Sequence, residues 1–307
     1  MTPTLPNCPC CGHGDPRLLG SLPDSNLFAG KPLPQALPGG SLYLCRHCQL
    51  KFRHPIPDAA TYDQMYDNAT TESWPADSSR LDWDLIAGYV REFVPKTGNV
   101  LDFGCYSGGL LARLDPAIER YGVEINRAAA AVALEQGSVK IWPSLDDVEK
   151  GLKFNVVVAA DVIEHMRNPK ELIDRLETLL AADGVLILTT GDANNFFWSC
   201  FGANWWYCCN PEHVSFISKN WLNFICEARG LRVTRSDSFI YRRLGLPRRI
   251  VELALTCFYG LFPSAYIRSL FFFKKLLGRP LRPIVPGNGV SADHLLIVLS
   301  RKTKPQS

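Results

Sequence analysis

The segment that most constrains this chain covers residues 100–109 (VLDFGCYSGG) and is followed by YGVE at residues 121–124. The apolar residues before Asp102 are typical of a buried parallel strand, and Gly104 permits a tight turn close to a ligand. Glu124 comes twenty residues after Gly104, at the predicted tip of a second strand. An acid there can accept hydrogen bonds from two ribose hydroxyls, so the pattern predicts a cofactor pocket.

The turn does not match a dinucleotide-binding site. Such a site needs G-x-G-x-x-G and a helix N-terminus that is open to a pyrophosphate. Here Asp102 opens the turn, and Tyr106 stands where the middle glycine would be. An acid beside the turn is better suited to a cofactor that carries ammonium and sulfonium charges and has no phosphate. The turn therefore argues against NAD as the cofactor.

Residues 100–109 resemble motif I of the class I S-adenosylmethionine-dependent methyltransferases. The resemblance continues through Glu124 and residues 154–165 (FNVVVAADVIEH), and it covers about half of the chain. It implies S-adenosylmethionine as the cofactor. Tyr106 departs from the glycine usual in the family, which affects the expected contact with the methionine moiety and not the fold. The residues expected to bind the cofactor are Asp102, Gly104, Cys105, Tyr106, Gly108, Glu124, Ile125, Trp142, Asp161 and Val162.

Helical and strand patterns alternate along the rest of the chain. They predict an α/β fold with a doubly wound, mostly parallel seven-stranded sheet, as in Rossmann-like methyltransferases. A first helix is expected to end at Pro95 and to be capped by Ser78 or Ser79, and a second is expected to begin with Leu110, Leu111 and Leu114. Residues 231–241 and 294–301 are the expected sixth and seventh strands, paired antiparallel at the edge of the sheet.

A chain of 307 residues with 47% hydrophobic composition is long enough for a full α/β domain and an accessory module. We expect residues 1–60 to form a zinc-ribbon-like module with its linker and residues 61–307 to form the methyltransferase domain. No apolar leader follows Met1, and eleven cysteines, an odd number with CxxC clustering, favour reduced thiols over disulfides. The expected location is therefore cytoplasmic.

Two CxxC pairs near the amino terminus indicate a metal site. Four thiolates can fill a tetrahedral zinc site, which favours a structural ion over a catalytic one. The 33 residues between the pairs exceed the spacing of common zinc patterns, so a loop or hairpin is expected between them. The arrangement looks like the zinc-binding head found before some bacterial methyltransferase domains. Cys10 and His47 are alternative ligands, but the CPxCG spacing favours Cys8, Cys11, Cys45 and Cys48.

Methyl transfer from a sulfonium is a direct displacement. The protein must align the acceptor and, if the acceptor is a hydroxyl, remove its proton. Residues 194–198 and 205–216 interleave aromatic side chains with amides and a histidine, which suits a sugar or another polyol ring. His213 is the first candidate for the general base, with Glu212 orienting or charging it, and His165 is the second. For either histidine, the alternative is a structural role in fixing a loop.

An apolar and basic insertion at about residues 245–285 separates the last two predicted strands. The chain from Arg229 to Arg282 carries twelve Lys or Arg residues against Asp237 and Glu252, although the net charge of the whole chain is only +3. This block favours an anionic partner. An acid, a glycine and a proline interrupt its apolar run, so a membrane span is not expected. A membrane-surface helix, a lid and a dimer surface remain open alternatives.

The expected acceptor is the hydroxyl of a sugar, a lipid-linked saccharide or another small molecule. A lipid-linked acceptor would go with peripheral contact between the insertion and the inner face of a membrane. Nucleic-acid binding is not expected, because the basic residues of the cysteine module are too sparse for a phosphate-binding stripe. Two alternatives remain: a zinc-headed binding or scaffold protein without turnover, and a methyltransferase that acts on RNA or protein.

Overall fold

A mixed sheet lies at the centre of the computed structural model. The residues that the structure describes are 5–28, 31–56, 58, 62, 80–95, 97–138, 140–241, 244–276 and 290–302.

Strands predominate before residue 60, and helices alternate with strands after residue 80. The amino-terminal elements are β1 (Arg17–Ser21), β2 (Ser25–Phe28), β3 (Lys31–Leu37), β4 (Ser41–Leu44) and β5 (Lys51–His54). The following elements are α1 (Leu81–Phe93), β6 (Asn99–Phe103), β7 (Glu119–Val123), α2 (Arg127–Glu135), β8 (Lys140–Trp142), β9 (Phe154–Ala160), α3 (Pro169–Thr178), β10 (Leu180–Gly191), α4 (Phe196–Phe201), β11 (Ser215–Phe216), α5 (Lys219–Arg229), β12 (Leu231–Phe239), α6 (Leu246–Leu261), α7 (Pro263–Leu276) and β13 (His294–Arg301).

Within the described residues, seven strands form the central sheet in the order β12-β13-β10-β9-β6-β7-β8. The pairs among β10, β9, β6, β7 and β8 are parallel, whereas β13 is antiparallel to both β10 and β12. This order confirms the predicted doubly wound, mostly parallel sheet with an antiparallel edge. The two predicted edge strands are present, although β12 ends at Phe239 and not at Tyr241.

The sheet is buried on both faces. Val156 and Val158 of β9 belong to a core cluster with Ile86 of α1, whereas Val157 and Ala159 belong to a second cluster on the opposite face. Successive side chains of a strand point to opposite faces, so a continuous apolar run is what a doubly covered parallel strand requires. The carboxyl ends of β6, β7 and β9 therefore lie side by side at one edge of a rigid core.

Two local helix predictions are wrong. After the glycine turn the chain forms only a single 3-10 turn, Leu111–Arg113, because Pro116 disfavours helical geometry at the residue before it and leaves too little chain for an α-helix. The N-cap of α1 is Arg80, which makes no side-chain capping bond. The predicted caps Ser78 and Ser79 lie outside the described residues.

The cysteine-bearing segment packs directly on the part of the chain that follows residue 80. Strand β11 pairs with β5 and completes a sheet in the order β1-β4-β5-β11. The buried Arg53 donates hydrogen bonds to the carbonyls of Gly39, Cys208 and His213, at 2.6, 2.6 and 3.1 Å. Strands β2 and β3 supply the hairpin expected between the two CxxC pairs. The boundary at residue 60 remains a prediction, but the two parts share one core.

The insertion between the last two strands forms two helices, α6 and α7. Residues 277–285 of the predicted insertion lie outside the described part of the chain. Among the described helices, none combines the length and the apolar character needed to cross a bilayer.

Candidate active site

The carboxyl ends of the parallel strands open into one cavity of about 1070 Å³. Asp102 lies near the end of β6, Glu124 follows β7, and Asp161 and Glu164 follow β9. All four acids line the cavity. Of the residues predicted to bind cofactor or to act in catalysis, the cavity lining includes Asp102, Gly104, Cys105, Tyr106, Glu124, Ile125, Asp161, Val162, His165, Glu212 and His213.

The glycine turn brings the backbone close to the loop after β9. Gly104 has a φ of +78°, and a Cβ at this position would lie 2.7 Å from a methyl group of Val162. Tyr106 has a φ of +48°, a conformation that favours glycine and strains most other residues. The departure from the family pattern therefore changes the side chain but keeps the backbone geometry of a glycine.

The carboxylate of Glu124 holds this turn in place. Its Oε2 accepts a hydrogen bond from the backbone N–H of Tyr106 at 2.8 Å, and its Oε1 accepts one from the N–H of Asn126 at 2.7 Å. Asn126 in turn caps α2. Each carboxylate oxygen keeps a further lone pair, so Glu124 can also accept hydrogen bonds from a ribose.

Two of the predicted cofactor residues lie outside the cavity lining. Gly108 packs against α2, where a Cβ would approach Ala133 to 2.9 Å, so its role is close packing. The buried Trp142 stacks on Tyr121 with the ring centroids 5.6 Å apart, and it faces the core. After β8 the chain turns, and residues 143–145 line the cavity instead of Trp142, so contact of Trp142 with the cofactor remains a prediction.

Asp102 is buried, and within the described part of the chain no salt bridge joins it to a cation. Burial, and next the charge of Glu124, raise its pKa to about 7, although the more distant Arg80 acts in the opposite direction. A carboxyl in such a position is stabilised when a cation binds beside it.

Asp161 has the cationic partner that Asp102 lacks. Arg80 Nη2 donates to Asp161 Oδ2 at 2.6 Å and to Asp82 at 2.5 Å, and the Tyr241 hydroxyl also donates to Asp161. Burial opposes ionisation of Asp161, but the charges of Arg80 and His294 outweigh it and lower its pKa. Arg80 was not predicted as a site residue. It follows a segment without a recognisable motif, and it reaches the cavity because it lies at the start of α1.

The far end of the cavity is built around Glu164 and Tyr207. The Tyr207 hydroxyl donates to Glu164 Oε1 at 2.7 Å, and the Thr190 hydroxyl donates to Oε2 at 3.0 Å. Burial, and next the charge of Asp161, raise the pKa of Glu164 to about 7. Glu164 is the glutamate of the EH pair at residues 164–165. Its hydrogen bond holds Tyr207 at the wall of the cavity.

The two predicted catalytic histidines lie together, with ring centroids 5.1 Å apart. His213 Nδ1 lies 2.9 Å from the Tyr207 carbonyl, and His165 Nδ1 lies 3.1 Å from the Glu212 carbonyl. A carbonyl is only an acceptor, so each Nδ1 carries the proton. Glu212 thus orients His165 through its backbone, whereas Tyr207 orients His213. Burial, and next the neighbouring His165, hold the pKa of His213 well below its usual range.

A buried histidine–aspartate pair at the same end was not predicted. His294 Nδ1 lies 2.8 Å from Asp293 Oδ1, and Asp293 Oδ2 accepts a hydrogen bond from Trp206 at 2.9 Å. Burial opposes protonation of His294, but Asp293 outweighs it and raises the pKa. The sequence around this pair does not indicate a role at the cavity. The pair lies 80 residues beyond the Tyr207–His213 segment, and His294 reaches the cavity only because β13 pairs with β10.

The cysteine pairs converge at a second place in the described structure. The Cys8 and Cys48 sulfurs are 3.6 Å apart, as are those of Cys11 and Cys45, and all four sulfurs lie within 4.8 Å of one another. The fifth nearby thiol, Cys10, accepts a hydrogen bond from Trp221. The structure thus brings together the four cysteines that the spacing favoured.

The raised pKa of Asp102 predicts a pH-dependent effect on stability. The folded state keeps the proton up to about pH 7, whereas an unfolded aspartate loses it near pH 4, so ionisation of Asp102 destabilises the fold as the pH rises through this window. Replacing Asp102 by Asn should stabilise the protein more at pH 8 than at pH 5, by about 2.6 kcal/mol. Urea unfolding at the two pH values measures the difference.

The exposed Asp183 provides the control, since Asp183→Asn should change stability equally at both pH values. If Asp102→Asn changes the stability equally at both pH values, the prediction that ionised Asp102 destabilises the folded state is contradicted.

Comparison with known proteins identifies the family. A methyltransferase domain family matches residues 81–236, which is slightly more than half of the chain. The chain is 25% identical over 193 residues to a ubiquinone biosynthesis O-methyltransferase of Coxiella burnetii, an alignment that covers 55% of this chain and 81% of the relative. It is 27% identical over 160 residues to the enzyme of the same name from Ruegeria sp., covering 46% of this chain and 63% of the relative.

Two solved structures align with most of this chain. The plantazolicin methyltransferase BpumL in complex with SAH has a TM-score of 0.45 at 14% identity, with 80% of this chain and 91% of that chain covered. Magnesium protoporphyrin IX methyltransferase from Synechocystis PCC 6803 with bound SAM has a TM-score of 0.46 at 17% identity, with 62% and 94% covered. The family match over more than half of the chain shows that the chain belongs to the methyltransferase domain family, as a class I S-adenosylmethionine-dependent methyltransferase.

Proposed function

We propose that this methyltransferase transfers the methyl group to a hydroxyl oxygen of a small-molecule acceptor, such as a sugar, a lipid-linked saccharide or another polyol. The observation that carries the proposal is the cavity itself, which has an acidic end at the glycine turn and an aromatic, histidine-bearing end. Its volume of about 1070 Å³ is at the upper limit for one drug-sized ligand. A cofactor and a small acceptor can therefore occupy it together.

The acidic end fits the charge of the expected cofactor. When bound, S-adenosylmethionine supplies an electrophilic methyl group on a positively charged sulfur. Asp102 is buried with a raised pKa, and the Glu124 carboxylate lies in hydrogen-bond contact with the turn, so both are placed to stabilise a bound cation or to accept ribose hydroxyls. We assign the cofactor to this end, with the predicted residues that line it.

The opposite end fits proton removal from a hydroxyl. His213 donates its Nδ1 proton to the Tyr207 carbonyl, which leaves the lone pair on Nε2 as the proton acceptor. Its lowered pKa keeps the imidazole neutral at physiological pH. We assign His213 as the general base and His165, packed against it, as the group that shapes its surroundings. The curated relatives support oxygen as the acceptor atom, because both are named O-methyltransferases.

The experiment that tests this function follows the methyl group. The protein is incubated with S-adenosylmethionine carrying a ¹³C-labelled methyl group and with small-molecule and cell-envelope fractions of an extract. We expect the label in a low-molecular-weight or lipid-linked product, with the carbon chemical shift of an O-methyl group. Label in RNA or protein, or on nitrogen or carbon, would contradict the proposal.

The same assay tests the base. His213→Ala should lower turnover by about a hundredfold or more while cofactor affinity is kept, and the exposed His54→Ala should change neither. Because the pKa of His213 lies well below 6.5, protonation of His213 should not lower the wild-type rate between pH 8 and pH 6.5. A fall in that interval would indicate another group, either His294, whose pKa is raised, or one of the cavity acids Asp102 and Glu164, whose pKa values are about 7.

We further propose a structural zinc ion among the four converging cysteines. Tetrahedral Zn–S bonds of about 2.3 Å place the sulfurs roughly 3.8 Å apart. The two Sγ–Sγ distances of 3.6 Å are close to this value, and four thiolates leave no open position for a reacting molecule. These cysteines belong to the same core cluster as residues of β9 and α3, so an ion there would stabilise the shared core.

Metal analysis of the purified protein tests the zinc proposal. We expect about one zinc ion per chain in the wild type, and the same content in Cys200→Ser, which alters an exposed cysteine. Cys45→Ser should lose most of the ion and melt at a lower temperature. A wild-type protein that binds no zinc when folded in its presence would refute the site, even if Cys45→Ser fails to fold.

A further inference from the structure

The two helices of the insertion expose an unusually apolar surface, which we call the α6–α7 face. Phe262, in the connection between the helices, is 60% exposed, and Leu246 at the start of α6 is 71% exposed. Large hydrophobic side chains with this degree of exposure are much rarer in the remainder of the described chain. The members of the face are Leu246, Ile250, Val251, Leu253, Leu255, Phe258, Leu261, Phe262, Phe272 and Phe273.

The other side of the helix pair is fixed to the methyltransferase domain. Tyr259 is buried, and its hydroxyl lies 2.8 Å from the Cys209 sulfur. Asn204 donates a hydrogen bond to the carbonyl of Gly260 at 3.2 Å, where a Cβ would collide with the ring of Phe201 at 2.4 Å. The helices therefore pack on the domain through the side that carries Tyr259 and Gly260, and the exposed apolar side chains remain outside this contact.

Cations accompany the apolar side chains. Arg248, Arg249 and Arg268 are exposed on the two helices, and Glu252, the single acid in their sequences, lies 3.5 Å from Arg248. Two further lysines, Lys274 and Lys275, occur in the sequence of α7. Large apolar groups flanked by Arg and Lys are typical of helices that lie in the plane of an anionic lipid surface.

A second copy of the chain fits this face less well. Two-fold contact between identical faces would bring the arginines of both copies into one interface without an equal number of acids. An anionic bilayer complements both properties at once, because it accepts the apolar side chains between its headgroups and pairs with the cations. Neither helix meets the requirements for a span, so the contact would be parallel to the membrane surface.

We propose that the α6–α7 face docks the enzyme on an anionic membrane surface. The face is attached to the segment that carries the acceptor end of the cavity, since Asn204 and Cys209 flank the cavity-lining Trp206 and Tyr207. Docking would therefore bring the acceptor end close to the lipid. The proposal concerns only where the enzyme binds, so it stands or fails independently of which hydroxyl is methylated.

Vesicle flotation with the full chain tests this docking. Vesicles of phosphatidylcholine with about one third phosphatidylglycerol should carry the protein to the top of the gradient, whereas vesicles of phosphatidylcholine alone should leave most of it behind. Raising the salt to about 0.5 M should weaken the binding, because the charged part of the contact is screened. The double variant Leu261→Asp, Phe262→Asp should bind anionic vesicles at least about tenfold more weakly.

Leu134→Asp is the matched control, because it alters an exposed leucine on α2, away from the face. It should bind vesicles like the wild type, and both variants should keep their affinity for S-adenosylmethionine. A milder variant, Phe262→Ser, serves if the aspartates prevent folding. Absence of wild-type binding to anionic vesicles would overturn the proposal. So would a wild-type dimer that the Phe262 substitutions dissociate while vesicle binding stays unchanged.

Discussion

Carboxyl groups from the ends of neighbouring strands line one cavity. Burying several ionised carboxylates away from water costs free energy, and the arrangement of the rest of the site depends on how this cost is offset. One acid, Asp161, is compensated by Arg80, which also bonds Asp82 and thereby ties the start of α1 to the strand ends. Among the described residues, no arginine or lysine pairs with Asp102 or Glu164 in this way, and burial raises the pKa of both acids to about 7. Ionisation of these acids is therefore favoured when a cation binds in the cavity.

The acceptor end depends on contacts from distant parts of the chain. Arg53, in the amino-terminal sheet, bonds the carbonyls of Cys208 and His213, and β11 continues directly from that segment into β5. The cysteine module therefore supports the wall that carries the proposed base. Three of the four cysteines belong to the central core cluster and Cys11 packs against it, so a metal ion there would act on the active site through packing and not through chemistry.

The sequence predicted those parts of the fold whose causes are local. A buried apolar strand followed by a glycine turn or an acid produces the same geometry wherever it occurs, so β6, β9 and the acids Asp102, Glu124 and Asp161 were predicted. The short turn after Gly109 was not, because Pro116 limits the helix. Trp142 was expected to contact the cofactor from its strand-end position, and the structure stacks its ring on Tyr121. Arg80 and His294 reach the cavity only through tertiary packing, which periodicity does not reveal.

The most direct test of the central claim is the proton balance of cofactor binding. Calorimetric titration with S-adenosylmethionine at pH 6, in buffers of different ionisation enthalpy, measures protons released per ligand bound. At this pH an α-amino group is already protonated, whereas a carboxyl of pKa about 7 is mostly neutral. The acid-lined cavity predicts net proton release that Asp102→Asn diminishes. Binding without proton exchange, or with proton uptake, would contradict the account.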